Sequence, residues 1–307
     1  MPVAPEIAAL LPGICAQPQM HQRPLSTLRQ TRDRMEPSGQ QPVGTVRDLQ
    51  VPTRAGAVRA RLYAPEGAKA VLPFVMMMHG GGFVFGDLEG YYDHICRVLC
   101  ARADCRVLSV NYRLAPEHKF PAAGEDVHDA LRWTQANAAT LGIDPARMVI
   151  AGGSAGANLA TATALRARDA GDPALRGQLL FYPIVDWHTP PSASLAAFAE
   201  GYYLTGADVR WFWQQYLGGE ADRHNPYAVP LAASDLSRLP PALVITAEFD
   251  PLRDGGERYA SRLAVDGVPV RQTRYDGMVH GFLAFPTPRA DEALEEAAAW
   301  LRERFAD

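Results

Sequence analysis

The apolar residues of this chain fall into short, nearly continuous runs that alternate with stretches of helical periodicity. The strand-like runs are residues 74–78, 106–110, 147–150, 179–182 and 240–245. Such runs are typical of strands that are buried on both faces. The helical patterns cover residues 91–103, 126–139 and 155–167. This alternation predicts an α/β fold, with a mostly parallel sheet and helices on both of its faces.

The ends of the chain and one internal stretch depart from this alternation. Residues 1–41 indicate a peripheral element with short helices, and residues 45–63 predict a hairpin at a sheet edge. Residues 192–217 carry an aromatic cluster without a strand pattern, which predicts inserted helices. Residues 268–273 predict a last strand, which could join two copies of the chain as a homodimer, and residues 291–305 predict a closing helix.

Charge and hydropathy narrow the class of partner. The chain has 307 residues and a formal net charge of −4, without a block of basic residues. This argues against binding to nucleic acid or to an anionic membrane surface, so we expect a small-molecule partner. The first 19 residues lack the basic and apolar regions of an export signal, and no apolar run is long enough to span a membrane. We therefore expect a cytoplasmic protein.

Two glycine-rich stretches directly follow predicted buried strands. Residues 152–156 read Gly-Gly-Ser-Ala-Gly, and residues 79–82 read His-Gly-Gly-Gly. The first stretch would place Ser154 on a sharp strand-to-helix turn, where side chains at the flanking positions would collide. The second would let backbone N–H groups point into a cavity. Ser154 is thus a candidate nucleophile, and the N–H groups of Gly81, Gly82 and Ala155 are candidates for an oxyanion hole.

A serine hydroxyl needs a neighbouring base, which is most often a histidine held by a carboxylate. Of the eight histidines, His280 lies in a predicted loop at residues 278–282, after the last strand, and the others suit structural or surface roles better. Asp250 follows a buried strand, whereas Asp254 falls on a predicted helix start. Because the carboxyl ends of parallel strands converge, Ser154, Asp250 and His280 are predicted to form a catalytic triad.

Five motifs together resemble the hormone-sensitive-lipase family of bacterial esterases, which has the α/β-hydrolase fold. They are residues 79–82, 112–117, 152–156, 250–252 and 277–282. The resemblance implies a serine carboxylesterase for short to medium acyl chains, and the mechanism it implies requires no metal or organic cofactor. It also implies a helical cap over the acyl pocket. The expected cap consists of residues 1–45 and 192–217, and the expected core of residues 46–191 and 218–307.

Aromatic side chains near the cap and the motifs are candidates for contact with substrate. The set is Phe83, Tyr202, Tyr203, Trp211 and Phe282. The alternative is that the rings of residues 192–217 only pack the insertion onto the body of the protein.

The chain departs from the family pattern at Gly153, where an acidic or otherwise polar residue is usual, and also at Ala157 and Gly255. Three alternatives to the esterase stay open. One is an amidase, deacetylase or carbamate hydrolase that uses the same triad. Another is an acyltransferase, if the pocket excludes water. The third is a ligand-binding receptor of the same fold without catalysis, which the presence of His280 disfavours.

Overall fold

The computed structural model of the chain describes residues 2–30, 40–68 and 70–306. Its strands form one eight-stranded sheet with the order β1-β2-β4-β3-β5-β6-β7-β8. The strands are β1 (Thr45–Thr53), β2 (Gly56–Ala64), β3 (Leu72–Met78), β4 (Arg106–Val110), β5 (Ile143–Gly153), β6 (Gly177–Phe181), β7 (Ala242–Phe249) and β8 (Val270–Val279).

The sheet is antiparallel at one edge and parallel elsewhere. β1 pairs with β2, and β2 with β4, in antiparallel register, which confirms the predicted hairpin at an edge. All other neighbouring strands run parallel. Parallel strands place all their carboxyl ends at the same edge of the sheet, and this is where ligands bind in such folds.

Ten α-helices accompany the sheet in the described part of the chain. They are α1 (Pro5–Cys15), α2 (Leu25–Gln30), α3 (Tyr91–Arg102), α4 (Ala122–Ala136), α5 (Ala138–Leu141), α6 (Ala155–Ala170), α7 (Ala193–Ala197), α8 (Gly206–Tyr216), α9 (Arg253–Val265) and α10 (Pro288–Ala306). The predicted α/β fold is therefore confirmed, although α4 begins four residues before the predicted helix.

The sheet separates two hydrophobic cores, and β3 shows how its pattern serves both. Phe74, Met76 and Met78 pack into the core beneath α4, α6 and α9. Val75 and Met77 pack into the core beneath α3 and α10. Successive side chains of a strand point to opposite faces. A continuous apolar run is thus required when both faces are covered.

Two predicted boundaries are corrected at the strands that carry the candidate acid and base. β7 continues past Ile245 to Phe249, and β8 continues to Val279, so residues 278–282 are not wholly a loop. Phe249 pairs with Val279 after a register irregularity. Both extensions contain polar residues, so a continuous apolar run does not mark them as strands. They pair nevertheless, because β-pairing depends on the neighbouring strand as well as on hydrophobicity.

Helices from two distant parts of the sequence meet above the sheet. α7 and α8 confirm the predicted inserted helices. The backbone N–H and the Nδ1 atom of His21 each lie 2.9 Å from Oδ1 of Asp208, a fully buried residue of α8. The predicted N-terminal cap segment includes residues 1 and 31–39, which lie outside the described residues. The division of the chain into cap and core stays a prediction.

β8 forms the edge of the sheet opposite β1, and the backbone N–H of Ala4 donates to the carbonyl of Gly277 on this edge at 3.0 Å. The pairing of two copies through this edge stays a prediction. None of the helices in the three described ranges combines the length and the hydropathy needed to cross a membrane.

Candidate active site

Ser154 lies on a tight turn between β5 and α6, with a positive φ of 55°. A Cβ atom at Gly152 would overlap the backbone of Gly156, and one at Gly156 would overlap the carbonyl group of Met78. Neither neighbour can move without shifting the strand or helix that contains it. The turn therefore requires glycine at both positions, and it presents the serine side chain at the carboxyl end of the sheet.

The structure brings together the three residues predicted as a triad. Nε2 of His280 lies 3.0 Å from Oγ of Ser154, and Nδ1 lies 2.8 Å from Oδ2 of Asp250. A carboxylate accepts hydrogen bonds, so Nδ1 donates to Asp250 and Nε2 is left to accept from the serine hydroxyl. Asp250 is fully buried, and its other oxygen accepts from the backbone N–H of Leu252 at 2.8 Å.

The two strand extensions explain this convergence. Asp250 and His280 are the first residues after β7 and β8, which are neighbouring parallel strands. Asp254, the rival candidate, accepts a hydrogen bond from the backbone N–H of Ser194 at 2.7 Å and so joins α9 to α7.

The glycine-rich loop after β3 adopts backbone angles that favour glycine. Gly81 has a φ of 115° and Gly82 a φ of 57°, and both line the same cavity as Ser154 and His280. The Gly81 carbonyl accepts from the backbone N–H groups of residues 84 and 85 at 3.0 and 3.1 Å, which closes the loop into a compact turn. Ala155 is the first residue of α6, so its N–H lies at a helix N-terminus, where negative charge is stabilised.

Side chains from outside the loop hold it in place. The Tyr112 hydroxyl donates to the backbone carbonyl of His79 at 2.8 Å, and the two rings stack with centroids 4.3 Å apart. Nδ1 of His79 lies 2.8 Å from the Gly80 carbonyl oxygen, as expected for a residue that braces the turn. Burial lowers the pKa of His79, so its imidazole is neutral around pH 7.

A cavity that is open to solvent lies over Ser154 and His280. Apolar side chains of the N-terminal segment, the glycine-rich loop region and the insertion form much of its wall: Met20, Leu28, Phe85, Tyr203, Leu204 and Phe212. Polar groups of Arg29, Asp87, Glu89, Tyr91 and Tyr92 complete it. A second cavity adjoins the first and shares four residues with it: Met20, Leu28, Phe85 and Tyr203.

Of the five predicted aromatic contacts, Tyr203 lines this cavity and the structure does not bring the other four to it. Phe83 has a positive φ that turns its ring onto Tyr216 of α8, where the two stack 3.7 Å apart. The remaining three pack as follows: Phe282 on Tyr275, Tyr202 on Phe249, and Trp211 beside Phe212. The contacts of Phe83 with Tyr216 and of Tyr202 with Phe249 join different elements, and for Tyr202 this is the packing role that the sequence leaves open for the rings of residues 192–217.

Arg29 is a cavity residue that the sequence pattern does not single out. Its guanidinium donates to the carbonyl groups of Val84 and Ala115 at 2.8 and 2.9 Å, and to the carboxylate of Glu117. The hydrogen bond with Arg29 lowers the pKa of Glu117 to about 2. These partners are 55 to 88 residues away in sequence, so no local pattern identifies the contact.

Known proteins are similar to this chain in sequence and in fold. The family model of the α/β-hydrolase fold matches residues 75–284. The carboxylic ester hydrolase LipN of Mycobacterium tuberculosis is 43% identical over 78% of this chain, and the match spans 64% of that protein's length. The esterase LipI of the same organism is 40% identical over 88% of this chain and 87% of its own.

A solved structure extends the likeness to the whole chain. A hyperthermophilic esterase from the archaeon Pyrobaculum calidifontis superposes with a TM-score of 0.93 at 42% sequence identity and covers 99% of both chains. Together with the five motifs, these matches show that the chain belongs to the hormone-sensitive-lipase family of the α/β-hydrolase fold.

Proposed function

We propose that this chain is a serine carboxylesterase that forms an acyl-enzyme on Ser154. The observation that carries the proposal is the position of His280, which contacts the serine hydroxyl with one ring nitrogen and the buried Asp250 with the other. A serine is a poor nucleophile until a neighbouring base takes its proton, and this arrangement supplies the base and fixes its orientation.

In the proposed first half-reaction, Nε2 of His280 accepts the Ser154 proton as Oγ attacks the ester carbonyl carbon. The tetrahedral intermediate collapses when the bond to the alcohol oxygen breaks, and His280 gives its proton to that oxygen. Water then attacks the acyl-enzyme in the same way, which releases the acid and restores the serine. Asp250 stabilises the imidazolium form of His280 and does not take the proton itself.

Negative charge develops on the former carbonyl oxygen, so the site needs donors aimed at that position. We propose the backbone N–H groups of Gly81, Gly82 and Ala155 for this role. The loop geometry and the helix N-terminus support it. Loss of one such donor typically raises the barrier by about 3 kcal/mol.

The cavity over Ser154 supports short to medium acyl chains as substrates. Apolar side chains form part of its walls, and Tyr203 and Phe212 line it together with Ser154. An acyl chain that enters it exchanges water for apolar surface, at about 0.8 kcal/mol for each buried methylene group.

Steady-state hydrolysis of p-nitrophenyl esters of graded chain length, beside the matching p-nitroanilides, tests this proposal. We expect turnover of the esters with an optimum at short to medium chains. A higher kcat/KM for the anilides would favour the amidase alternative, and no turnover of either series would favour the receptor.

The Ser154→Ala variant should lose activity by a factor on the order of 10⁶ in kcat. Ser261→Ala is the matched control, since Ser261 is exposed on α9 and hydrogen-bonds within its own helix. An unchanged rate in Ser154→Ala would refute the mechanism.

A further inference from the structure

The hydroxyl of Tyr92 lies against both the glycine-rich loop and the turn that carries Ser154. A Cβ atom built on Gly80 would come within 2.5 Å of the Tyr92 oxygen, and one built on Gly153 would overlap that same oxygen. The two segments also approach each other directly, since the Cβ on Gly80 would lie 2.9 Å from the Gly153 carbonyl oxygen. Gly80 directly precedes the proposed oxyanion donors, and Gly153 directly precedes Ser154. One side-chain atom therefore packs at the junction of the two backbone segments that the proposed chemistry depends on.

Tyr92 is held firmly in this position. It belongs to the first turn of α3, is only 4% exposed, and lines the cavity over Ser154. Its ring packs against Tyr91, with centroids 4.2 Å apart, and meets the edge of the His79 ring at 6.3 Å. Movement of the hydroxyl would require the helix or these rings to move.

Gly153 has different surroundings from the other two glycines of the motif, Gly152 and Gly156. Side chains at Gly152 and Gly156 would overlap backbone atoms, whereas the atoms nearest to a Cβ at Gly153 belong to the side chains of Tyr92 and Tyr182. Gly153 is not in the left-handed region of the backbone map. The Tyr92 oxygen is the atom that a Cβ at position 153 would overlap, so the tyrosine hydroxyl accounts for the glycine there.

We propose that Tyr92 is a positioning residue whose hydroxyl sets the distance between the oxyanion loop and the nucleophile turn. This inference rests on the proposed function of Ser154. Oxyanion donors act only when they lie 2.7 to 3.1 Å from the oxyanion. In this site they come from two separate segments, so a spacer between Gly80 and Gly153 controls their alignment with the serine oxygen.

The first test is Tyr92→Phe, which deletes only the spacer oxygen. We expect kcat to fall about tenfold with KM within about twofold of wild type, because misalignment affects the transition state more than the bound ester. The affinity for phenylboronic acid, which forms a tetrahedral adduct with the serine oxygen, should fall by the same factor. The matched control is Tyr259→Phe, a buried tyrosine on α9 outside this cavity, which should leave all three values unchanged.

The second test places a methyl group where the hydroxyl now lies. Gly153→Ala should lower kcat about tenfold or more in wild type. In the Tyr92→Phe background the nearest remaining ring atoms, Cζ of residue 92 and Cε2 of Tyr182, lie 3.3 Å from the new Cβ. The double variant should therefore be more active than Gly153→Ala alone. Gly124→Ala is the control, since its Cβ would have an open site on α4, with the nearest atom 3.9 Å away.

Three results would overturn the inference: a kcat for Tyr92→Phe equal to wild type, a fall in kcat without a fall in boronic acid affinity, or a double variant no better than Gly153→Ala. A failure of the proposed function looks different, because wild type would then fail to turn over esters or Ser154→Ala would retain activity. Thermal unfolding of each variant separates a change in alignment from a loss of folded protein.

Discussion

The Ser154–His280–Asp250 group and the cavity wall above it are built in different ways. The first depends on the ends of strands β5, β7 and β8, whose hydrogen-bonded register fixes where each residue emerges. The second depends on side chains from the N-terminal segment and the insertion that pack against each other across large sequence separations, such as His21 and Asp208.

From this difference we can predict which parts of the site tolerate substitution. The strand ends belong to a sheet with two cores, so moving one of them disturbs the whole domain. The wall combines helices α2 and α8 with the loops beside them, and none of these segments belongs to the sheet, so we expect its shape to vary more readily than the positions of the strand ends. Chemistry is expected to depend on the first region, and substrate choice on the second.

The largest expected effects lie at the strand ends. His280→Ala should lower kcat by a factor on the order of 10⁶, and Asp250→Asn by about 10⁴, because in the proposed mechanism Asp250 orients the base and His280 moves the proton. Stopped-flow or steady-state assays with a p-nitrophenyl ester measure both. His224→Ala, an exposed histidine, is the control and should be neutral. A comparable loss of kcat in His224→Ala would show that the effect is not specific to the residues at the strand ends.

The next largest effect on kcat is expected for Gly156→Ala. The new Cβ would overlap the carbonyl of Met78 at the end of β3, so the turn that carries Ser154 must shift. We expect kcat to fall by about 10²-fold or more, since displacement of about 1 Å has that effect. Circular dichroism shows whether the variant folds. A folded variant with wild-type kcat would contradict the close approach of the two segments.

Phe212→Ala probes the cavity wall. It should raise the ratio of kcat/KM for a p-nitrophenyl octanoate to that for the acetate by about tenfold, since a wider pocket accepts longer chains. Trp211→Ala is the matched control: Trp211 is the preceding residue on α8 but does not line the cavity. Equal ratios in the two variants would mean that this wall does not select the acyl chain.

The smallest effect is expected at the contact that joins the two parts of the wall. His21→Ala removes the Nδ1 partner of the buried Asp208 carboxylate. We expect a loss of about 1.5 kcal/mol in the free energy of unfolding, as for a hydrogen bond to a charged group, with kcat nearly unchanged. Urea unfolding monitored by tryptophan fluorescence measures it against His118→Ala, an exposed control. A large loss of kcat would show that the wall and the strand ends are coupled.

The sequence predicts the first region better than the second, for a physical reason. Glycines at positions 152 and 156 are required by backbone contacts, so their spacing survives in the sequence as a motif. The α/β fold is likewise confirmed because buried parallel strands need continuous apolar runs. The polar ends of β7 and β8 follow no such pattern, and those boundaries were predicted too short.

The residues that line the cavity wall could not be predicted from the sequence in the same way. Tyr203 was a predicted contact and does line the cavity, but the ring of Phe83 turns away because of its positive φ, which no local pattern reveals. Arg29 contacts residues far away in sequence, and no sequence pattern reveals that Tyr92 packs against Gly80 and Gly153. The roles of the triad and of the oxyanion donors stay predictions that the geometry supports.

The most direct test of the central claim, that Ser154 is the nucleophile, is covalent labelling. The protein is treated with diethyl p-nitrophenyl phosphate, and the modified peptide is located by mass spectrometry while residual esterase activity is measured. We expect one diethylphosphoryl group on Ser154, in proportion to the activity lost. Complete inactivation with the label on another residue, or with Ser154 unmodified, would contradict it.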